Sequence, residues 1–99
     1  MKDVFALVVE YDNFYDTKEF DCYIFENESD AIDYMKDLMQ YHKLDLIDRL
    51  DLETEQELLD EYLEICRESD TYCNYYVEEC CNIEFYIQKK PILKFGSVR

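Results

Sequence analysis

The stretch Asp51 to Asp70, DLETEQELLDEYLEICRESD, carries nine carboxylates and one arginine in twenty residues. Carboxylates at such density offer three chemistries: paired acids for proton transfer, hard oxygen ligands for a cation, or an anionic surface for a basic partner. Proton transfer has little to single it out. Acid pairs are so common in this chain that none marks a catalytic couple, and His42 is the only histidine. It lies in a charged stretch where a surface position is expected. With no glycine-rich loop there is no phosphate cradle, so the expectation is a protein that is not an enzyme and uses no cofactor.

Metal chemistry fares little better. Asp45, Asp48, Asp51, Glu53 and Glu55 are dense enough for calcium, but they lack the loop glycine and ligand order of an EF-hand. Cys66, Cys73, Cys80 and Cys81 with His42 could supply zinc ligands. Structural zinc sites bring ligands in close pairs, whereas the gaps here are six, six and zero residues. No metal site is expected. The odd number of cysteines and the lack of a secretion signal read as reduced thiols, with Cys22 and Cys66 on stripes assigned to the core.

The third chemistry has the sign of the whole chain behind it. Net charge is −15, from 25 acidic and 10 basic residues. Residues 1–88 hold all 25 acids and six bases, while 89–99, KKPILKFGSVR, form a basic C-terminal tail with four bases and no acid. A phosphate backbone attracts lysine and arginine, so direct nucleic-acid binding is disfavoured. Ninety-nine residues suffice for a single domain, 1–99, and sixteen Tyr and Phe residues supply core material that disordered chains lack. The six-residue apolar run Val4–Val9 is too short for a signal peptide or membrane span, so no membrane contact and a cytoplasmic location are expected.

The elements that would position the carboxylates follow from periodicity. Val4–Val9 reads as a strand buried on both faces, and Phe20–Glu26 as its antiparallel neighbour. The loop between them carries Phe14 and Tyr15, unusual residues to leave in water. Ser29 can cap a first helix, with Ala31, Ile32, Met35, Leu38 and Met39 on one stripe and Asp30, Asp33 and Asp37 opposite, among Tyr34 and Tyr41. HKLDLIDRLDLE is ambiguous. Thr54–Glu57 has capping-box spacing, predicting a second long helix with Glu57, Asp60, Glu61, Glu64 and Glu68 on one arc. A strand from about Tyr72 to Glu79 and another over Asn82–Gln88 complete the order β-β-α-α-β-β. Turns would rely on Asn13, Asn27, Asp70 and Asn82. This is an α+β domain: a mainly antiparallel sheet of about four strands, with two helices packed on one face.

On that reading the carboxylates form a face. As a helix, Asp51–Asp70 would span about 30 Å. Its net charge of −8 is then one charge per about 3.8 Å, close to the spacing of phosphates on a DNA strand. The residues expected to meet a partner are Asp30, Asp33, Tyr34, Asp37, Tyr41, Glu57, Asp60, Glu61, Glu64 and Glu68. Tyr, Phe, Met, Ile, Asn and Lys total 37 residues against seven of Gly, Ala, Arg and Pro, a bias expected of an AT-rich bacterial, phage or mobile-element gene. In size, charge and composition the chain resembles the small acidic phage-encoded inhibitors of host defence, including DNA-mimic anti-CRISPR and anti-restriction proteins. That resemblance implies a non-enzymatic inhibitor occupying a cationic nucleic-acid-binding surface of a host effector or nuclease. The alternative is a small acidic adaptor or subunit, or an immunity protein or antitoxin of a basic nuclease.

Overall fold

A computed structural model describes residues 3–15 and 17–91. In chain order the elements are β1 (Asp3–Asp12), β2 (Lys18–Phe25), α1 (Glu28–Arg49), α2 (Glu55–Glu61), β3 (Leu63–Ser69), β4 (Tyr72–Val77) and β5 (Cys81–Pro91). The strands form one antiparallel sheet in the order β2-β1-β5-β4-β3. Helix residues Met35, Met39, Leu46 and Leu58 bury against Leu7, Val9, Tyr75, Ile83 and Phe85 of the sheet. The α+β class and the antiparallel sheet stand, with five strands rather than about four.

The extra strand comes from the predicted second helix. Thr54 caps α2 as expected, its Oγ1 accepting from the Glu57 amide at 3.1 Å. The helix nevertheless stops at Glu61, and Leu63–Ser69 pairs with β4 instead. Leu63 is buried while Ile65 and Cys66 are exposed, so β3 forms for its backbone ladder with β4 more than for side-chain burial. A tertiary partner outweighed a good local helix signal.

Helix α1 takes in the ambiguous segment and runs 22 residues. Asn27, not Ser29, is its N-cap residue, and Ser29 lies in the first turn. At the other end the Leu52 amide donates to Ile47 O at 2.9 Å and the Asp51 amide to Asp48 O at 3.2 Å. These bonds make a Schellman cap with Asp51 in the left-handed region at φ 55°. Ile47 and Leu52, the positions where such a cap places its hydrophobic pair, both pack against the core.

The two faces of the sheet differ. Phe5, Leu7, Val9, Tyr23 and Phe25 share the helix side, as their register pairs require. Phe20, Cys22 and Ile24 therefore face outward, with Phe20 63% and Ile24 60% exposed. This corrects the assignment of Cys22 to the core. The set with Tyr23 and Phe25 also holds Glu19 and Asp21, but its two large rings pack against Tyr34 of α1, while the two acids open to the groove. Val4–Val9 lies within a central strand as expected. Helices cover Leu7 and Val9, whereas Ala6 and Val8 are buried on the open side beside Ile24, Gln88, Cys22 and Tyr86.

Asn82 lies within β5, and the β4–β5 turn is made by Glu78 to Cys80 with Glu79 at φ 59°. Lys89 and Lys90 belong to β5, Lys89 pairing with Asp3 at 3.4 Å. The rest of the basic tail, 92–99, lies outside the described residues. Among the described residues no helix is long and apolar enough to cross a membrane.

Candidate partner-binding site

Where α2 gives way to β3, the chain opens a cleft of about 460 Å³ against the β4–β5 turn. Among the described residues its wall carries Asp60, Glu61, Glu64, Glu78 and Glu79 and no basic side chain, with Tyr62 and Tyr76 between them. The register accounts for this convergence. Glu64 stands opposite Tyr76 on β4, while the pair Val77 and Cys81 closes the hairpin from which Glu78 and Glu79 project. Holding a non-glycine residue such as Glu79 at positive φ costs about 1 kcal/mol.

The β1–β2 turn reaches the same rim. The Phe14 ring lies 6.0 Å from Tyr76, and the Tyr15 hydroxyl donates to Glu79 O at 3.1 Å. Asp12 Oδ1 accepts from the Phe14 amide at 2.8 Å, and Asn13 Oδ1 from the Tyr15 and Thr17 amides. These local turns hold Phe14 at φ 70°. The two aromatics left in water by the sequence are thus fixed at the edge of the cleft, 44% and 76% exposed.

A second acidic surface lies on α1. The ring of Tyr34 meets Tyr23 edge-on at 5.0 Å and Phe25 at 5.6 Å, so this side of the helix overhangs β2. Helical spacing sets Asp30, Asp37, Tyr41 and Asp48 in one line, with Asp33 adjoining; all five are exposed. Between the ridge and β2 runs a groove of about 440 Å³ with Glu19, Asp21 and Asp45 on its walls, alongside Tyr11, Tyr23 and Tyr41. Arg49 closes one end, pairing with Asp45 at 3.0 Å and donating to the Tyr11 hydroxyl, which raises the guanidinium pKa.

His42 also lines this groove but is not a surface residue. It is half-buried, with its ring 5.5 Å from Phe85 and 5.4 Å from Tyr41. Burial lowers its pKa below 6.5, against the opposing pull of Asp45.

On the open sheet face Glu10 stands directly opposite Glu84. Each accepts from a tyrosine, Tyr86 to Glu10 at 3.0 Å and Tyr72 to Glu84 at 2.8 Å. The Tyr72–Glu84 bond helps push the Tyr72 phenol up to about 12.

Of the residues selected from sequence, Asp30, Asp33, Tyr34, Asp37 and Tyr41 stand together on α1. Asp60, Glu61 and Glu64 meet in the cleft, although Glu64 comes from β3 rather than a helix. Glu68 does not join them. It lies toward the far end of β3, at the register shift between Arg67 and Ser69. Glu57 is half-buried at the start of α2, its Oε1 accepting from the Glu53 amide at 3.4 Å, so it serves the cap. The run Asp51–Asp70 is therefore no 30 Å rod of charge, because helix and strand divide it. Sequence reasoning passed over Glu78, Glu79, Glu19 and Asp21, and weighed Asp45 only as a cation ligand. Only the Glu78–Glu79 pair between two strands carried a usable signal, as a charged turn.

All five cysteines are free. Cys73 and Cys81 are buried, and burial pushes the Cys81 thiol up to about 12. Cys66, like Cys22, is exposed rather than in the core; strand geometry turns it to the open face opposite Asn74. No group of three or more His, Cys, Asp or Glu among the described residues is placed to hold a metal ion. Comparison with known proteins finds no matching family model, no matching curated protein and no matching solved structure.

Proposed function

We propose that this chain is a non-enzymatic inhibitor acting in the cytoplasm of a bacterial host cell. It occupies a cationic, nucleic-acid-binding surface of a host defence protein or nuclease, offering carboxylates where the nucleic acid offers phosphates. The observation that carries this reading is the cleft with five carboxylates and, among the described residues, no cation in its wall. The exposed α1 ridge adds charge of the same sign. Internal pairing cannot neutralise this surface, since acids outnumber bases by 15. Tyr62 and Tyr76 in the cleft, with Tyr34 and Tyr41 on the ridge, supply the aromatic contacts that interfaces favour.

A plain adaptor is the second reading, and one observation favours it. The open sheet face presents Phe20 and Ile24, an apolar surface suited to a partner that ignores charge. Salt separates the two. Charge-led binding weakens steeply as salt screens exposed charges over about 8 Å at physiological ionic strength, whereas apolar docking holds. The experiment captures the partner from host lysate, then measures competition between this protein and labelled nucleic acid for that partner at several salt concentrations. Displacement that fades with salt supports the inhibitor. Simultaneous binding of protein and nucleic acid refutes it.

A further inference from the structure

Among the described residues β2 is an outer strand, paired on one side only, with β1, through eight consecutive residues without a bulge. The orientation of its free edge follows from the hairpin. The Asn13 amide donates to Thr17 O at 3.1 Å, making Asn13 and Thr17 a hydrogen-bonded pair. Antiparallel ladders alternate, so Glu19, Asp21 and Tyr23 direct their backbone groups to β1. Phe20, Cys22 and Ile24 then direct their N–H and C=O groups outward. The opposite edge, β3, is broken by the register shift after Arg67, a feature that discourages strand addition. β2 has no such break, and its charges Lys18, Glu19 and Asp21 are confined to its first half, so its acids discourage an acidic strand while attracting a basic one.

We propose that β2 is a docking edge for an extended, basic segment of the partner, which adds to the sheet as a sixth strand. The side chains on either side of the edge specify its chemistry. On the helix side Glu19 and Asp21 face the groove under the α1 ridge, with Tyr41 across it and Asp45 paired to Arg49 at one end. On the open side Phe20, Cys22 and Ile24 are exposed. Because strand side chains alternate, the segment fitting both sides alternates lysine or arginine with aliphatic or aromatic residues. Its basic side chains enter the groove while its apolar ones lie beside Phe20 and Ile24. A second copy of this chain fits less well, since it brings no cation to Glu19 and Asp21 and sets two molecules of charge −15 side by side. The proposal deepens the function above and rests on it for the basic character of the partner.

The test uses the full chain and a six-residue peptide alternating lysine and valine, followed by amide hydrogen exchange. Exchange at Phe20, Cys22 and Ile24 should slow at least tenfold on adding peptide, while Asp21 and Tyr23, already bonded to β1, change little. The double variant Glu19→Lys, Asp21→Lys should weaken peptide binding at least tenfold. The same peptide N-methylated at alternate amides keeps every charge but cannot form the ladder, and should not bind. Equal binding by the methylated peptide, or protection on β3 instead, overturns the proposal. Slowed exchange at these three amides on raising protein concentration without peptide also overturns it, by assigning the edge to a second copy. Competition with nucleic acid is measured separately, so loss of the docking edge leaves the inhibitor reading standing.

Discussion

Reversing the charge of the cleft is the most direct perturbation of the proposed function. Asp60, Glu61, Glu64 and Glu78 are exposed, and the ion pairs among the described residues fall elsewhere, at Asp45, Asp70 and Asp3. Changing all four to lysine adds two charges each, taking the net charge from −15 to −7. An exposed pair with a partner cation contributes about 0.5 kcal/mol, and a like-charge contact costs a similar amount. Each reversal therefore removes about 1 kcal/mol, and the four together about 4 kcal/mol, close to a thousandfold in Kd. The fold should be unaffected or slightly stabilised, because self-repulsion falls. A control quadruple of Glu28, Glu53, Glu55 and Glu68 to lysine makes the same change in net charge outside the cleft. Titration against the captured partner at low and physiological salt, with thermal melts alongside, reads out both variants. Equal losses would assign the effect to bulk charge, and a cleft variant that binds within tenfold of the parent would refute the reasoning.

Three further outcomes follow from single residues. Asp51→Gly should stabilise the protein by about 1 kcal/mol over Asp51→Ala, since only glycine relieves the left-handed cap and both remove the carboxylate; equal melting temperatures would contradict the Schellman geometry. The Tyr75 hydroxyl is buried with no hydrogen-bond partner among the described residues, so Tyr75→Phe should leave stability unchanged or raise it by about 1 kcal/mol in chemical denaturation, and a clear loss would show the hydroxyl to be satisfied. His42, neutralised by burial, should titrate below 6.5 by NMR. Because the unfolded chain then takes up the proton first, the His42 contribution to stability is present above pH 6.5 and is lost as pH falls towards the folded pKa. A midpoint above 6.5 would mean that the surrounding carboxylates outweigh desolvation.

Whatever depends on composition and on strong local pattern was legible before any tertiary contact was known. Excess charge of −15 is additive and independent of fold. The unbroken apolar run Val4–Val9 had to be central, and Ile83, Phe85 and Ile87, alternating in NIEFYIQ, had to share a face. The Thr54 cap was visible because it needs only neighbours in sequence. The α1 half of the candidate site was legible for the same reason: one helix carries Asp30, Asp33, Tyr34, Asp37 and Tyr41, and its period places them.

What the sequence left open was decided by partners distant along the chain. Leu63–Ser69 supports either a helix or a strand, and the free backbone edge of β4 settled it as β3. That outcome removed Glu68 from the acidic set and brought Glu64 beside Glu78 and Glu79, residues about fifteen positions away in sequence. In β2 the alternation favours burying Phe20, Cys22 and Ile24, because the other set contains Glu19 and Asp21, yet that is not the face that was buried. Tyr34 of α1 chose the other by packing on Tyr23 and Phe25, leaving Phe20, Cys22 and Ile24 exposed. Local propensity differs by a few tenths of a kcal/mol between such alternatives, whereas a paired strand or a buried ring contributes more, so tertiary contact sets the outcome.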